Sequence, residues 1–161
     1  MSNPFRPMRR FKQQLSEEEC IKILKEEPRG VLSVLGDDGY PYGLPIDHYY
    51  DEETGKIYFH GAKEGHKIDA LKRCDKASLC VMDKGYKIPG EWPWHIRSVI
   101  VFGRIHEVTD PVFLEKELRR LGAKYIPTQE ELDEEIAKSM ARVCFLEMTI
   151  DHMTGKLVKE S

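Results

Sequence analysis

Helical and strand-like spacings of apolar residues alternate along this chain, and strands predominate. Residues 15–27 carry apolar side chains at helical spacing, with Ser16 and Glu19 placed as a capping box at the start. From Val31 the pattern changes to short apolar runs separated by turn residues such as those at 36–39. The sequence therefore predicts one helix followed by a series of strands.

The predicted strands share short apolar or alternating runs bounded by glycine, proline or acidic turns. They cover residues 31–35, 40–50, 56–60, 77–83, 98–108 and 143–150. Three more helices are predicted at 66–74, at 110–126 and at 128–142. The second of these opens with Asp110 as N-cap and Pro111 in the first turn.

Two prolines and one glycine predict irregularities in these strands. Pro41 and Pro45 cannot donate to a strand ladder, so the run 40–50 is expected at a sheet edge, at a bulge or against a ligand. Gly103 predicts a bend or bulge within 98–108. The segment 84–97 is rich in aromatic residues and reads as a long loop that covers a ligand or a partner subunit.

Mostly consecutive strands with few intervening helices favour an antiparallel barrel with peripheral helices over a doubly wound parallel sheet. No dinucleotide fingerprint GxGxxG occurs in the sequence. Its 161 residues, without repeats or low-complexity linkers, indicate a single domain, residues 1–161, of which 1–14 form a polar N-terminal arm.

Composition excludes several classes of function. The formal net charge of −3 does not favour nucleic acid, and the basic residues between Arg6 and Lys12 are expected to be a solvated arm. Four widely spaced cysteines and six histidines show no metal-binding spacing, so no metal is expected. Without an apolar span or a signal-like start, we expect a cytoplasmic protein with no membrane contact.

The segment 57–67 carries the clearest chemistry. Small residues Gly61, Ala62 and Gly65 follow the strand end at His60, and Lys67 lies where a helix is predicted to begin. Accessible backbone amides, a helix N-terminus and an ammonium group together suit a phosphate. An ordinary strand-to-helix loop with a solvated lysine explains the same pattern equally well.

In their order, these motifs resemble the FMN-binding split-barrel proteins related to pyridoxamine 5′-phosphate oxidase, in particular the branch of 5-nitroimidazole-resistance flavoproteins. The resemblance covers nearly the whole chain. It is carried by residues 8–10, 30–34, 38–42, 45–46, 59–62, 65, 67 and 98–103.

The resemblance implies a mainly β fold, an antiparallel split barrel, that forms a homodimer with FMN at the subunit interface. It places the flavin phosphate near His60, Gly61, Ala62, Gly65 and Lys67, and it implies that five further residues approach the cofactor. These are Pro45 and Ile46 along the flavin ring, and Ser98, Trp94 and Arg97 from the aromatic segment.

One departure bears on the substrate. The chain ends with Lys156 and Lys159 but has no arginine there, unlike true pyridoxamine phosphate oxidases, so vitamin B6 oxidation is not expected. Three functions stay open. They are an FMN-dependent oxidoreductase that reduces a small acceptor with electrons from NAD(P)H or another reductant, a flavin-binding protein without turnover, and a haem-binding split barrel.

Neither a catalytic residue nor the exact cofactor follows from the sequence. A flavin carries out electron transfer itself, which lowers the demand for a catalytic side chain. His48, His60 and His95 are candidate proton donors, although an exposed or hydrogen-bonded structural histidine is the more common case. A deazaflavin is a variant of the first function.

Overall fold

An eight-stranded antiparallel sheet forms the body of the protein in the computed structural model, which describes residues 3–160. Residues 1, 2 and 161 lie outside the described part. The first residue of the predicted arm and both end residues of the predicted domain are therefore not described. The strands are β1 (Arg29–Leu35), β2 (Pro41–Asp47), β3 (Tyr49–Asp51), β4 (Lys56–Ala62), β5 (Lys76–Met82), β6 (Tyr86–Lys87), β7 (Trp94–Glu107) and β8 (Val143–Glu160). The helices are α1 (Glu17–Glu26), α2 (His66–Arg73), α3 (Pro111–Tyr125) and α4 (Gln129–Ser139).

The sheet curls because its two edges belong to one short stretch of chain. The strand order is β2-β1-β5-β7-β8-β4-β3, with β6 paired to β7, so β2 and β3 lie at opposite edges although only His48 separates them. The predicted continuous strand 40–50 is therefore wrong, since it is two strands. The predicted fold class, an antiparallel split barrel with peripheral helices, is confirmed.

Side chains of α3 form hydrogen bonds with the backbone at His48, where the chain passes from β2 to β3. The hydroxyl of Tyr125 contacts both the amide and the carbonyl of His48, at 2.9 and 2.7 Å. Lys124 donates to the same carbonyl at 2.9 Å and to the carbonyls of Leu24 and Glu27 at the end of α1. The chain can leave one edge of the sheet and join the other because these side chains satisfy its polar groups, the Tyr125 hydroxyl accepting from the His48 amide.

Local capping signals are confirmed where the sequence predicted them. Ser16 and Glu19 form a reciprocal capping box on α1. At the start of α3, Asp110 accepts a hydrogen bond from the amide of Phe113, and Pro111 is the first residue of the helix. The hairpin of β1 and β2 has its proline-containing strand at the sheet edge, as predicted. The helix predicted at 128–142 ends earlier, at Ser139.

Two strands are longer than predicted. The segment 84–97 is not an unstructured loop, because β6 pairs with the start of β7 and Trp94 already belongs to that strand. The last strand continues from residue 150 to Glu160 along β7. The ladder between β7 and β8 supplies long-range pairing that the polar residues after Ile150 do not signal locally.

The irregularity predicted at Gly103 is a register shift in that ladder. Phe102 pairs with His152 while Gly103 pairs with Ile150, which leaves Asp151 as the extra residue of a bulge. A Cβ at position 103 would collide with the carbonyl oxygen of Thr149. Glycine is therefore required for the close approach of the two strands.

Two apolar clusters hold the helices against the sheet. The larger lies inside the curled sheet, where Leu32, Leu79 and Val101 are buried together with α1 and α2 residues. The smaller lies between the opposite face of β4 and helices α3 and α4, around Tyr58 and Phe145. Strand β4 is consequently buried on both faces over Ile57–Phe59.

The basic residues of the N-terminal arm are exposed as expected, while its Phe5 packs on the sheet. The exposed basic residues are Arg6, Arg9, Arg10 and Lys12. Phe5 stacks on His152 with ring centroids 4.6 Å apart and covers part of Phe102. Further along, Leu15 donates its amide to the carbonyl of Gly155. Among the helices described for residues 3–160, none is long and apolar enough to cross a membrane.

A buried carboxyl group links α3 to β3. Glu117 is fully buried and lies 3.3 Å from Arg120, which also binds Asp51 and Glu53. Burial and the neighbouring Asp51 carboxylate raise the pKa of Glu117 to about 7. Between about pH 4.5 and about pH 7, Glu117 is therefore protonated in the folded protein and ionised in the unfolded chain.

Because the folded pKa is raised, the free energy of unfolding should fall as pH rises from about 4.5 through about 7. Glu117→Gln keeps the shape without the charge, so it should be more stable than the wild type at pH 8 by on the order of 2 kcal/mol. The difference should vanish near pH 4.5. Urea unfolding at both pH values measures it, with exposed Glu134→Gln as control, and an equal effect at both pH values would contradict the assignment.

Candidate functional site

The corner between β4 and α2 is open at the backbone. Gly65 precedes the first turn of α2 with φ +135°, a conformation that favours glycine, and no side chain caps the helix there. The first amides of α2 therefore have no side-chain acceptor among residues 3–160. Such amides, together with the positive end of the helix dipole, favour an anion.

The ammonium group of Lys67 lies over Gly61. A Cβ at position 61 would be 2.7 Å from Lys67 Nζ, so any other residue would have to displace the ammonium group. Lys67 is half-buried, and within residues 3–160 it makes no salt bridge or side-chain hydrogen bond. Burial lowers its pKa, which is the expected effect on a cation that has lost water without gaining a counter-charge.

His66 fixes this corner to the β1–β2 hairpin. Its ring stacks on Tyr42 with centroids 4.0 Å apart, and its Nε2 accepts the amide of Asp37 at 3.2 Å. The sequence does not predict this role of His66, because its partners Tyr42 and Asp37 are 24 and 29 residues away. No local pattern reports such a contact.

His60 and Ala62 point away from Lys67. Successive side chains of a strand alternate between its faces, and Gly61 shares its face with the lysine. The exposed His60 ring instead borders a cleft against α3 and α4 that Leu118 and Tyr125 also line. The structure therefore brings Gly61, Gly65 and Lys67 together but does not add the His60 ring to them.

Pro45 and Ile46 lie on the edge strand β2. Ile46 is buried in the core and pairs with Gly30, while Pro45 is exposed on the outer face of the sheet. Because β2 is terminal in the strand order, its outer backbone groups have no partner strand within residues 3–160. The strand contacts β4 across the curled sheet, which places this free edge near the corner.

Trp94, Arg97 and Ser98 belong to β7. Arg97 is engaged elsewhere, since it lies 3.8 Å from Asp83 and over the ring of Tyr86. Trp94 and Ser98 are on the outer face, where Ser98 pairs with Met82 and Lys156. These residues are three strands from Pro45, about 14 Å at the usual strand spacing.

The outer face between these two groups is unusually apolar. Its residues alternate with the core residues of β1, β5 and β7, positions that are normally polar in an antiparallel sheet. The exposed apolar side chains there are Val31, Leu35, Met82, Ile100 and Phe102. A patch of this kind usually marks an interaction surface.

Two of the candidate proton donors are buried. His48 is within 2.9 Å of the carbonyl of Leu24, and burial, followed by the charge of Lys124, lowers its pKa to about 4. It is therefore neutral near pH 7. His95 lies under Tyr86, with ring centroids 4.8 Å apart, and neither ring nitrogen has a hydrogen-bond partner in the described residues.

Comparisons with known proteins agree with this architecture. The family model for pyridoxamine 5′-phosphate oxidase matches residues 16–157. A search of curated proteins gave no significant match.

Solved structures show the same fold at low sequence identity. A candidate 5-nitroimidazole antibiotic resistance protein from Bacteroides thetaiotaomicron is 18% identical, with a TM-score of 0.77 over 91% of this chain and 87% of that one. A FAD-binding protein from Mesorhizobium loti is 22% identical, with a TM-score of 0.69 over 91% and 97%. A FAD- and haem-binding protein from Mycobacterium smegmatis is 21% identical, with a TM-score of 0.73 over 90% and 73%.

Proposed function

This chain belongs to the pyridoxamine 5′-phosphate oxidase family, and on that basis we propose that it binds the flavin FMN, with the flavin phosphate at the corner of β4 and α2. The observation that carries the proposal is the half-buried ammonium of Lys67, which has no acidic partner among residues 3–160. Burying such a charge alone is unfavourable. A phosphate dianion would compensate it.

The residues at the corner fit a phosphate. Gly61 leaves room for the ammonium group, Gly65 opens the helix, and the first amides of α2 are available as donors. Charge-assisted bonds from an ammonium and from backbone amides are among the strongest that proteins offer to phosphate. The free outer edge of β2 at Pro45 and Ile46 would offer main-chain groups to the polar edge of the flavin ring.

The second part of the proposal is a homodimer with the cofactor at its interface. Pro45 and Ser98 are about 14 Å apart across the sheet, too far for one ring edge to bridge within a protomer. A second copy on the apolar outer face would bring Trp94 and Ser98 of one protomer toward Pro45 of the other. It would also bury Val31, Met82 and Ile100, which are exposed in the single chain.

We further propose that the protein is an oxidoreductase that reduces a small acceptor such as a nitro compound or quinone. A bound flavin supplies hydride and electron transfer, so the protein has to bind it, orient it and leave one face accessible. The similarity to the candidate nitroimidazole resistance protein from Bacteroides thetaiotaomicron supports this class. NAD(P)H is the proposed electron donor.

Lys67→Ala should weaken FMN binding by about 10- to 100-fold, because it removes a charge-assisted contact to phosphate. Riboflavin lacks the phosphate, so its affinity should be the same in both proteins. Quenching of flavin fluorescence measures both dissociation constants.

The control for this substitution is Lys72→Ala, which removes an exposed lysine from the last turn of the same helix. It should leave FMN binding unchanged. If Lys67→Ala weakened riboflavin as much as FMN, or weakened neither, the phosphate would not be at this corner.

Ile100→Lys should convert the dimer to a monomer, because it places a charge at the centre of the apolar outer face. Sedimentation velocity measures the mass. Val112→Lys is the control, since Val112 is equally apolar but lies 79% exposed at the start of α3, away from the sheet. A wild-type protein that sediments as an 18.7 kDa monomer with flavin bound would contradict the dimer.

A haem-binding protein is the alternative, which the similarity to the FAD- and haem-binding protein from Mycobacterium smegmatis supports. The absorbance spectrum of the purified protein separates the two. We expect flavin bands and release of a chromophore with the mass of FMN. A Soret band without flavin would favour haem, the mass of a deazaflavin would identify that variant, and flavin that NAD(P)H does not reduce would indicate a binding protein without turnover.

A further inference from the structure

A second cationic cleft lies on the outer face of β7 and β8, separate from the corner at Lys67. The N-terminal arm forms one wall with Met8, Arg9 and Arg10, and the strands form the floor. The floor residues are Ser98, Ile100, Thr154, Gly155 and Lys156. The arm is held there by its contacts along β8, where Gln14 bridges to Lys156.

The charges in this cleft are all positive and all unpaired. Arg9, Arg10 and Lys156 make no salt bridge or side-chain hydrogen bond within residues 3–160, and no carboxylate lines the cleft. The chain as a whole carries a net charge of −3, so the cluster does not reflect a generally basic protein. Three like charges that line one cleft without a counter-charge create a positive potential that attracts an anion.

The remaining donors in the cleft suit phosphoryl oxygens. The hydroxyls of Ser98 and Thr154 have no hydrogen-bond partner in the described part of the chain and face the cleft from neighbouring strands. Arginine presents a planar fork that binds phosphate or carboxylate in a bidentate manner. Three cations and two hydroxyls exceed what a single carboxylate requires. They are enough to neutralise the two negative charges of a dinucleotide diphosphate and to donate to its non-bridging oxygens.

The size of the cleft indicates that it holds one end of a ligand. Its volume of about 230 Å³ is below the range of about 300–1,000 Å³ typical of pockets that enclose a whole small molecule. It opens onto the same outer face as the edge strand β2, three strands away. Ser98 and Ile100 also belong to the face that the proposed second copy would cover, so a ligand held here by its diphosphate would reach the flavin ring along the edge of that interface.

We propose that this cleft binds the diphosphate group of a dinucleotide. The proposal rests on the flavin site proposed above, because the dinucleotide would deliver its electrons to the flavin bound there. The dinucleotide is the nicotinamide cofactor that delivers electrons to bound FMN. FAD is not the occupant, because its diphosphate includes the flavin phosphate that is assigned above to the corner at Lys67.

Inorganic pyrophosphate is the first probe, measured by isothermal titration calorimetry on the full chain. Arg10→Ala combined with Lys156→Ala should weaken its binding at least about tenfold, since each lost charge-assisted contact is worth about that factor or more. The matched control is Arg6→Ala combined with Lys159→Ala. It removes one arginine of the arm and one lysine of β8 that do not line the cleft.

The affinity of the control variant for pyrophosphate should stay within about twofold of the wild-type value. Equal weakening in both double variants would mean non-specific charge attraction, and absence of pyrophosphate binding to the wild type would mean that no diphosphate site exists. Either result overturns the proposal. Because the four substituted side chains make no hydrogen bond or salt bridge in the part of the chain that the structure describes, both variants should keep the melting temperature of the wild type.

NADP⁺, FMN and FAD then identify the ligand. The Arg10/Lys156 variant loaded with FMN should lose affinity for NADP⁺ and keep the wild-type affinity for FMN. Loss of affinity for FAD with unchanged affinity for NADP⁺ would assign the cleft to the flavin and overturn the proposal. If pyrophosphate alone is affected, the cleft does not serve a dinucleotide and the proposal fails.

The flavin site is tested separately by Lys67→Ala, which should leave pyrophosphate binding unchanged. Failure of the flavin proposal would therefore appear as unaltered FMN affinity in that variant. Failure of the present proposal would appear in pyrophosphate and dinucleotide binding alone.

Discussion

The hydrogen bonds that Lys124 and Tyr125 make to the backbone of His48 hold the two edges of the sheet together. Strands β2 and β3 are joined only through this residue, yet they lie at opposite ends of the strand order. The polar groups freed at the break would be costly to bury, and the α3 side chains satisfy them. Lys124 also donates to the carbonyls of Leu24 and Glu27 at the end of α1, so its ammonium group is fully used at this junction. Curvature of the sheet, and with it the position of everything on β2 and β4, follows from this junction.

The candidate site uses what the curled sheet leaves unsatisfied. Within residues 3–160, strand β2 has a free backbone edge, the corner of β4 and α2 has amides without a side-chain cap, and Lys67 has an unpaired charge over Gly61. In most folded proteins such groups are paired, so their occurrence close together is informative. The apolar outer face adds a surface that a second copy would cover. Together these features describe the half-site that, in the proposed function, a second protomer and a flavin complete.

Local sequence signals predicted what depends on neighbours in the chain. The caps of α1 and α3, the bulge at Gly103 and the grouping of Gly61, Gly65 and Lys67 all arise within a few residues. Long-range pairing accounts for the rest. The polar residues after Ile150 become a strand because β7 offers a ladder, His48 breaks a run that looks continuous, and the cleft of Arg10 and Lys156 joins the two ends of the chain. His60 was grouped with Lys67 by proximity in sequence, although strand alternation turns its side chain to the other face.

A crystal structure of the protein grown with FMN tests the central claim most directly. The account predicts the phosphate within ion-pair distance of Lys67 Nζ, hydrogen-bonded to the first amides of α2, with the ring beside β2 and a second protomer. A flavin whose phosphate lies elsewhere, with Lys67 facing only water, would contradict it.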